Sequence, residues 1–221
     1  MRIPGAPHRW DVSPARAAEI QRRLAPRVRL EVPRAPLRLV AGLDAAFAPD
    51  DRTVTGAVVL WDTRTLAVVE RHVVVRGLSF PYVPGLLSFR EAPALLAALR
   101  KLRATPDALL CDGHGYAHPR RFGLACHVGL IAGLPAVGCA KTLLCGEHAE
   151  PGRSRGSCAL LTIEGQEVGA VLRTRDGVRP VYVSPGHRVD LVSATRLVLE
   201  CAVRFRLPEP TRLADILVRA K

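Results

Sequence analysis

The 221 residues suffice for one domain with a sizeable core and are short for two. Lys and Arg number 32 against 20 Asp and Glu, a formal charge of +12 with 48% apolar residues, which excludes an acidic disordered chain and points to a folded protein with a polyanionic partner. No apolar run reaches the roughly 18 to 20 residues that span a bilayer. The opening MRIPGAPHRW also lacks the continuous apolar stretch of a signal peptide, so a cytoplasmic protein with no membrane partner is expected. Cys111, Cys126, Cys139, Cys145, Cys158 and Cys201 form no C-x-x-C pair and have no His at zinc-site spacing. They read as small buried apolar residues, with neither a disulfide framework nor a structural zinc.

In chain order, Ser13-Pro14 reads as an N-cap followed by proline at the first helical position. This predicts a helix to about residue 27 whose apolar positions are Ala17, Ile20 and Leu24. A proline-containing link, 32–36, leads to three strands at 37–47, 53–61 and 65–75, with turns at 49–51 and 62–64 short enough for an antiparallel meander. After a loop at 77–85, an amphipathic helix is expected at 88–102 and a short buried strand at 107–111. A second helical stretch opens at Pro119 and runs over 119–133, followed by a strand at 136–139. Strands at 158–163, 167–173 and 179–183 precede closing helices at 189–205 and 210–220, and 146–156 is the expected flexible loop. The result is one α/β domain over 1–221, a mixed sheet flanked by helices whose element order resembles a ribonuclease H-like fold.

With so few acids, those inside apolar segments stand out. Asp44 follows RLVAGL and precedes AAF, in what should be the centre of the sheet. An unpaired carboxylate there costs several kcal/mol and needs a cation or strong donors, unless the position is a surface or turn position. Asp112 ends the run DALLC and enters Gly113-His114-Gly115. That is either an Asx-type turn or a ligand position at the C-terminal edge of a strand. Glu91 lies three residues after Ser88, the spacing of a capping box. A Glu in a first helical turn beside Asp44 and Asp112 would equally complete a three-carboxylate cluster suited to Mg²⁺ or Mn²⁺. Asp215, in LPEPTRLADIL, either pairs with Arg212 on its helix or joins the same cluster.

Five segments carry a resemblance: PYVPGLLSFRE (81–91), DGHGYAHPRRFGLACHVGL (112–130), GCAKT (138–142), SPGHR (184–188) and FRLPEPTRLAD (205–215). Together they resemble endonuclease V, the deoxyinosine-directed nuclease family, over about 39–215. The resemblance implies a ribonuclease H-like fold and Mg²⁺ as cofactor, with Mn²⁺ as a substitute. It also implies cleavage of the second phosphodiester bond 3′ to the lesion, leaving 3′-hydroxyl and 5′-phosphate ends. It assigns Asp44, Glu91 and Asp112 to the metal, with Asp215 as the accessory acid, and so decides Glu91 in favour of catalysis. It sets Lys141 near the scissile phosphate, His118 beside the active site in a supporting role, and Tyr82 and Pro84 in a wedge that enters the duplex. Where related sequences usually read GVAKK, this one has Cys139 and Thr142.

Physical chemistry attaches a role and an alternative to each part. Two prolines stiffen Tyr82 and Val83, and a rigid aromatic loop can fill the gap left by an extruded base; the alternative is a Tyr packed on the core. Gly85, Gly113 and Gly138 either let backbone approach a hypoxanthine base or are simple turn glycines. Arg120 and Arg121, opening a helix after Pro119, are a phosphate clamp or a solvated face. His118 shuttles a proton, orients a phosphate, or is a turn histidine; His187 has no assignment. The expected partner is deoxyinosine-containing DNA and the expected state a monomer. Inosine in RNA, a catalytically silent nucleic-acid-binding protein and a dimeric junction resolvase are the competing readings.

Overall fold

The computed structural model describes residues 2–220. Apolar alternation and two tight turns build the meander of β1 (Leu39–Phe47), β2 (Thr53–Asp62) and β3 (Ala67–Gly77), each strand antiparallel to the one before it. β1 then pairs in parallel with β4 (Ala108–Cys111), and β4 in parallel with β5 (Ala136–Ala140). Beyond β5 the sheet is antiparallel again through β9 (Val181–His187), β8 (Gln166–Leu172), β7 (Cys158–Ile163) and the two-residue β6 (Glu147–His148). The nine strands form one sheet in the order β3-β2-β1-β4-β5-β9-β8-β7-β6.

Parallel neighbours need crossovers, and these place helices on the faces. α2 (Leu87–Leu99) and α3 (Leu124–Ala132) bury Leu95, Leu99 and Val128 against Ala41, Leu43, Leu109 and Cys111 on one face. α4 (Leu191–Cys201) covers Val40, Ala108, Leu110 and Val137 on the other, and α5 (Glu209–Arg219) covers Ala57 and Val59 beside it. Because strand residues alternate faces, Val40, Gly42 and Asp44 share the α4–α5 side, as do Ala108, Leu110 and then Asp112. α1 (Pro14–Leu24), continued by a 3₁₀ turn at Ala25–Arg27, packs Ala17, Ile20 and Leu24 against Phe80, Phe89 and Phe122 outside α2 and α3. As expected, the Ser13 hydroxyl accepts from the Arg16 N–H at 3.3 Å and caps α1.

Four expectations need correction. Pro119 does not open a helix: the chain at 112–123 is a compact loop, Arg121 takes φ +54°, and α3 starts only at Leu124. Gly123 makes this possible, since a Cβ there would lie 2.4 Å from the His114 carbonyl oxygen. Ser88 is not an N-cap, because α2 begins at Leu87 with Leu86 before it; the capping-box reading of Glu91 therefore fails. The stretch 146–156 is not all loop, since β6 pairs with β7. Four cysteines are buried, but Cys145 is half-buried and Cys158 exposed. No helix among the described residues is long and apolar enough to cross a membrane.

One contact fixes the site in advance. A Cβ on Gly42 would sit 2.1 Å from the backbone carbon of Pro210, so only glycine lets the start of α5 lie directly on β1. That approach brings Asp215 over Asp44. Gly42→Ala should lower the unfolding free energy by roughly 1 to 3 kcal/mol in a urea titration, as α5 is pushed from the sheet. An unchanged midpoint would show that α5 is not held by this contact.

Candidate active site

Asp44 projects from β1, Asp112 follows the last residue of β4, and the Asp112 N–H donates to the Leu43 carbonyl at 3.0 Å. The two carboxylates are thus set side by side at the end of the parallel pair. Asp215 arrives from α5. One carboxylate oxygen from each of Asp44, Asp112 and Asp215 lies within 4.8 Å of the others, and all three residues are half-buried. Glu91 stands outside this ligand-sized set. It approaches from α2, on the opposite face, and is 7% exposed, close enough that Asp44 and Asp112 both act on its charge.

Lys141, just beyond β5, balances part of this charge, its ammonium 2.5 Å from Asp112 Oδ2 and 3.8 Å from Asp215 Oδ1. Burial, and then the Asp112 charge, push the Asp44 carboxyl up to about 8 despite Lys141. Burial followed by Asp44 and Asp112 holds Glu91 well above the usual carboxylate range, and burial raises Asp112 against the pull of Lys141. Burial alone would lower Lys141, but its hydrogen bond to Asp112 and that acid's charge raise it. Asp215 does not pair with Arg212, as its sequence neighbourhood suggested. Arg212 instead takes Glu209 at 2.6 Å, and Asp215 takes Arg219 at 2.9 Å. The donor set is all carboxylate oxygen, which suits a hard divalent cation, and four acids gathered around one lysine leave negative charge for such an ion to neutralise.

Beside the acids, the loop 81–86 overhangs a cavity of about 140 Å³ lined by Tyr82, Pro84, Gly85, Ser88, Gly113 and His118, among others. At about 30 Å³ per water this is room for a few waters or one flat heterocycle, well short of a drug-sized pocket. Tyr82 is 69% exposed at its mouth, so the core-packed alternative for this residue is excluded. The loop is pinned from below. The Gly85 carbonyl, at a residue with φ +76°, accepts from Gln21 Nε2 at 3.0 Å, His118 Nε2 at 2.8 Å and Arg120 Nη2 at 2.8 Å.

His118 therefore has both ring nitrogens engaged, since Nδ1 accepts from the Arg120 N–H at 3.1 Å. Burial, with Arg120 and Arg121 nearby, brings it down to about 4, so it is neutral at physiological pH. Arg120 also donates to Gln21 Oε1 at 2.5 Å, and Arg121 reaches the His118 and Ile163 carbonyls at 3.2 and 3.3 Å. Neither arginine forms a solvated helix face. Gly138 lies under the 113–115 turn rather than in the cavity wall, its missing Cβ leaving room for the Gly113 carbonyl. SPGHR braces that turn from the other side: Ser184 Oγ accepts from the Gly115 N–H at 2.8 Å and the Pro185 carbonyl from the Tyr116 N–H at 2.7 Å. His187 receives the Arg29 N–H at 3.4 Å and so anchors the link after α1. Gln21 is absent from the sequence reading, although its position at i+4 from Ala17 places it on the apolar stripe of α1. A larger groove of about 620 Å³ lies at the opposite end of β1, away from the acids.

The family model described as endonuclease V matches residues 22–216. The chain belongs to the endonuclease V family. Endonuclease V of Azotobacter vinelandii is 52% identical over 206 residues, covering 93% of each chain. Among solved structures, endonuclease V from Streptomyces avermitilis superposes with a TM-score of 0.91 at 46% identity over 97% of this chain and 95% of that one. The catalytic domain of human endonuclease V gives 0.85 at 35% identity, over 93% and 94%. The chain is thus a hydrolase of this family with its ribonuclease H-like mixed sheet, as the sequence motifs implied.

The raised acids make a prediction for the metal-free endonuclease V-family chain. Between the ordinary aspartate value and about 8, the folded state keeps a proton on Asp44 that the unfolded chain has released. Stability therefore falls as pH rises through that window. In chelator, Tm should drop between about pH 6.5 and pH 8, above the range where the buried histidines titrate, and Asp44→Asn should lessen the drop, with Glu91 and Asp112 supplying the rest. A wild-type Tm that rises over the same range would contradict the charge crowding.

Proposed function

We propose that this chain is a Mg²⁺-dependent endonuclease that recognises deoxyinosine, the product of adenine deamination, in DNA. It hydrolyses the second phosphodiester bond 3′ to the lesion, leaving 3′-hydroxyl and 5′-phosphate ends. The observation that carries the reading is the juxtaposition of the Asp44, Asp112 and Asp215 oxygens, within 4.8 Å of one another, with a base-sized cavity headed by an exposed tyrosine. The family membership supports it.

Asp44, Asp112 and Asp215 would hold the metal, with Glu91 completing the negative field from the α2 side. A divalent ion there supplies a polarised phosphoryl oxygen, an activated water and a stabilised leaving alkoxide. Lys141 brings a positive charge to the same place and can turn from Asp112 to the phosphate as charge develops on it. The neutral His118 contributes by holding the Gly85 carbonyl, which keeps the wedge loop in position, rather than by carrying a proton. Tyr82, stiffened by Pro81 and Pro84, stacks in the gap that the extruded base leaves. Net charge of +12 attracts the phosphate backbone without regard to sequence.

The deciding experiment is incubation with Mg²⁺ and an end-labelled duplex carrying one deoxyinosine, with the cut mapped to the nucleotide. A nick one nucleotide beyond the lesion is expected; binding without any cut would overturn the proposal, and faster cutting of a matched inosine RNA strand would move it to RNA. Removing one ligand by Asp112→Asn should reduce the rate by several kcal/mol of barrier, more than about a hundredfold. The same variant should lose the Tm increase that Mg²⁺ gives the wild type. Tyr82→Ala should weaken binding to the inosine duplex by about tenfold, and far less to the single strand, since stacking contributes roughly 1 to 3 kcal/mol per base. With its side chain exposed, the substitution should leave Tm in place; equal losses on duplex and single strand would exclude a wedge.

A further inference from the structure

Ser88 lines the cavity beneath Tyr82 while being itself 2% exposed, and its hydroxyl meets His127 Nδ1 at 3.0 Å. His127, wholly buried on α3, meets His8 with Nε2 to Nε2 at 2.7 Å. His8 in turn has Nδ1 at 2.9 Å from the Arg9 carbonyl. Trp10, Phe89 and Phe122 pack their rings around His127 and keep water out. This chain of contacts takes no part in the carboxylate site.

Its polarity can be read from one end. A carbonyl oxygen only accepts, so the His8 proton is on Nδ1 and His8 Nε2 is bare. Burial, helped by Arg23, holds His8 below its ordinary value, and burial followed by His8 holds His127 well below, so both rings are neutral. His127 must then carry its proton on Nε2 to donate to His8, which leaves its Nδ1 bare, and Ser88 must donate to that nitrogen. With its one proton committed, Ser88 presents only lone pairs to the cavity. The nearby His118, Gln21 and His114 also have their donors committed. His118 and Gln21 have their donors on the Gly85 carbonyl, and His114 donates from Nε2 to the Thr142 carbonyl at 3.0 Å, leaving a bare, buried Nδ1 without a partner.

We propose that Ser88, oriented by His8 and His127, is a specificity-determining residue that accepts a ring N–H from the extruded base and rejects a base presenting a lone pair there. His8 and His127 are positioning residues. In hypoxanthine N1 carries a hydrogen, and in adenine it does not, so the relay separates the deaminated purine from its parent at the ring nitrogen, independently of the exocyclic group. The inference rests on the deoxyinosine reading of the cavity and says how that base is told apart.

The test compares kcat/KM on matched duplexes carrying deoxyinosine or 2′-deoxynebularine, a purine with a bare N1, for wild type, Ser88→Ala and His8→Leu. The missing O6 affects all three proteins alike, so the change in ratio between proteins is the readout. Ser88→Ala removes the opposing lone pair. His8→Leu takes away the acceptor that fixes the His127 tautomer, which frees the Ser88 proton to reach the base. The preference for deoxyinosine should fall about ten- to hundredfold in both variants, in His8→Leu partly through faster cutting of the nebularine strand. If both variants slow on both substrates in parallel and keep the wild-type ratio, the residues merely pack and the proposal is overturned. A wild type that fails to cut the deoxyinosine strand at all would instead remove the functional reading beneath it. Should a variant not fold, imidazole ¹⁵N shifts of the wild type read the relay directly: protons on His8 Nδ1 and His127 Nε2 support it, and a proton on His127 Nδ1 overturns it.

Discussion

Like charges that the fold forces together govern this molecule. Asp44 and Asp112 share a sheet face because β1 and β4 run parallel in a register that pairs Leu43 with Cys111, and α5 adds Asp215 where Gly42 lets it close on β1. Their mutual repulsion is opposed in the chain by Lys141, set among them, and by Arg219 on Asp215. Such an arrangement is unfavourable as plain architecture, because partly buried carboxylates lose hydration without gaining enough donors. A small divalent cation would make it favourable, so under the proposed function the cost to the folded state and the capacity to bind metal are one property seen from two sides.

Around this crowded centre the supporting loop is tied down by hydrogen bonds from several elements. The 112–123 loop is held on one side by Ser184 and Pro185 and on the other by His118 and Arg120. The acids come from two strands and two helices, and the cavity from the loop before α2 and the loop before α3. The acids and the cavity therefore sit on separate supports that meet along the start of α2, where Ser88 belongs to the cavity and Glu91 to the acids.

How much of this was legible beforehand depended on the range of the interaction. The meander, the parallel strands and the placing of Asp44 and Asp112 follow from local apolar patterning, and they stand as expected. Residues 119–123 did not fold as the pattern implied, because the close approach of Gly123 to the His114 carbonyl is a tertiary constraint that no helical period records. Asp215 had an equally good local partner in Arg212, and only the packing of α5 on β1 separates the two outcomes. His8 and His127 are 119 positions apart, and nothing in either neighbourhood signals their contact. Gln21 is the instructive omission: a polar residue on the apolar stripe of a helix is a signal in the sequence itself, and in this fold it marks a buried amide with work elsewhere.

The three donors on the Gly85 carbonyl also bear on the timing of recognition. A loop tied at one atom to α1 and twice to the 112–123 segment must break all three bonds together to swing aside as a flap. Under the proposed function, the deformation needed for a base to leave the stack would thus fall on the nucleic acid. Weakly paired positions yield first when they meet a fixed obstacle, and a sound base pair springs back. Under the same proposal, this edge would act as a mechanical sieve along the duplex, sorting sites by how readily they open before any group in the cavity inspects the base.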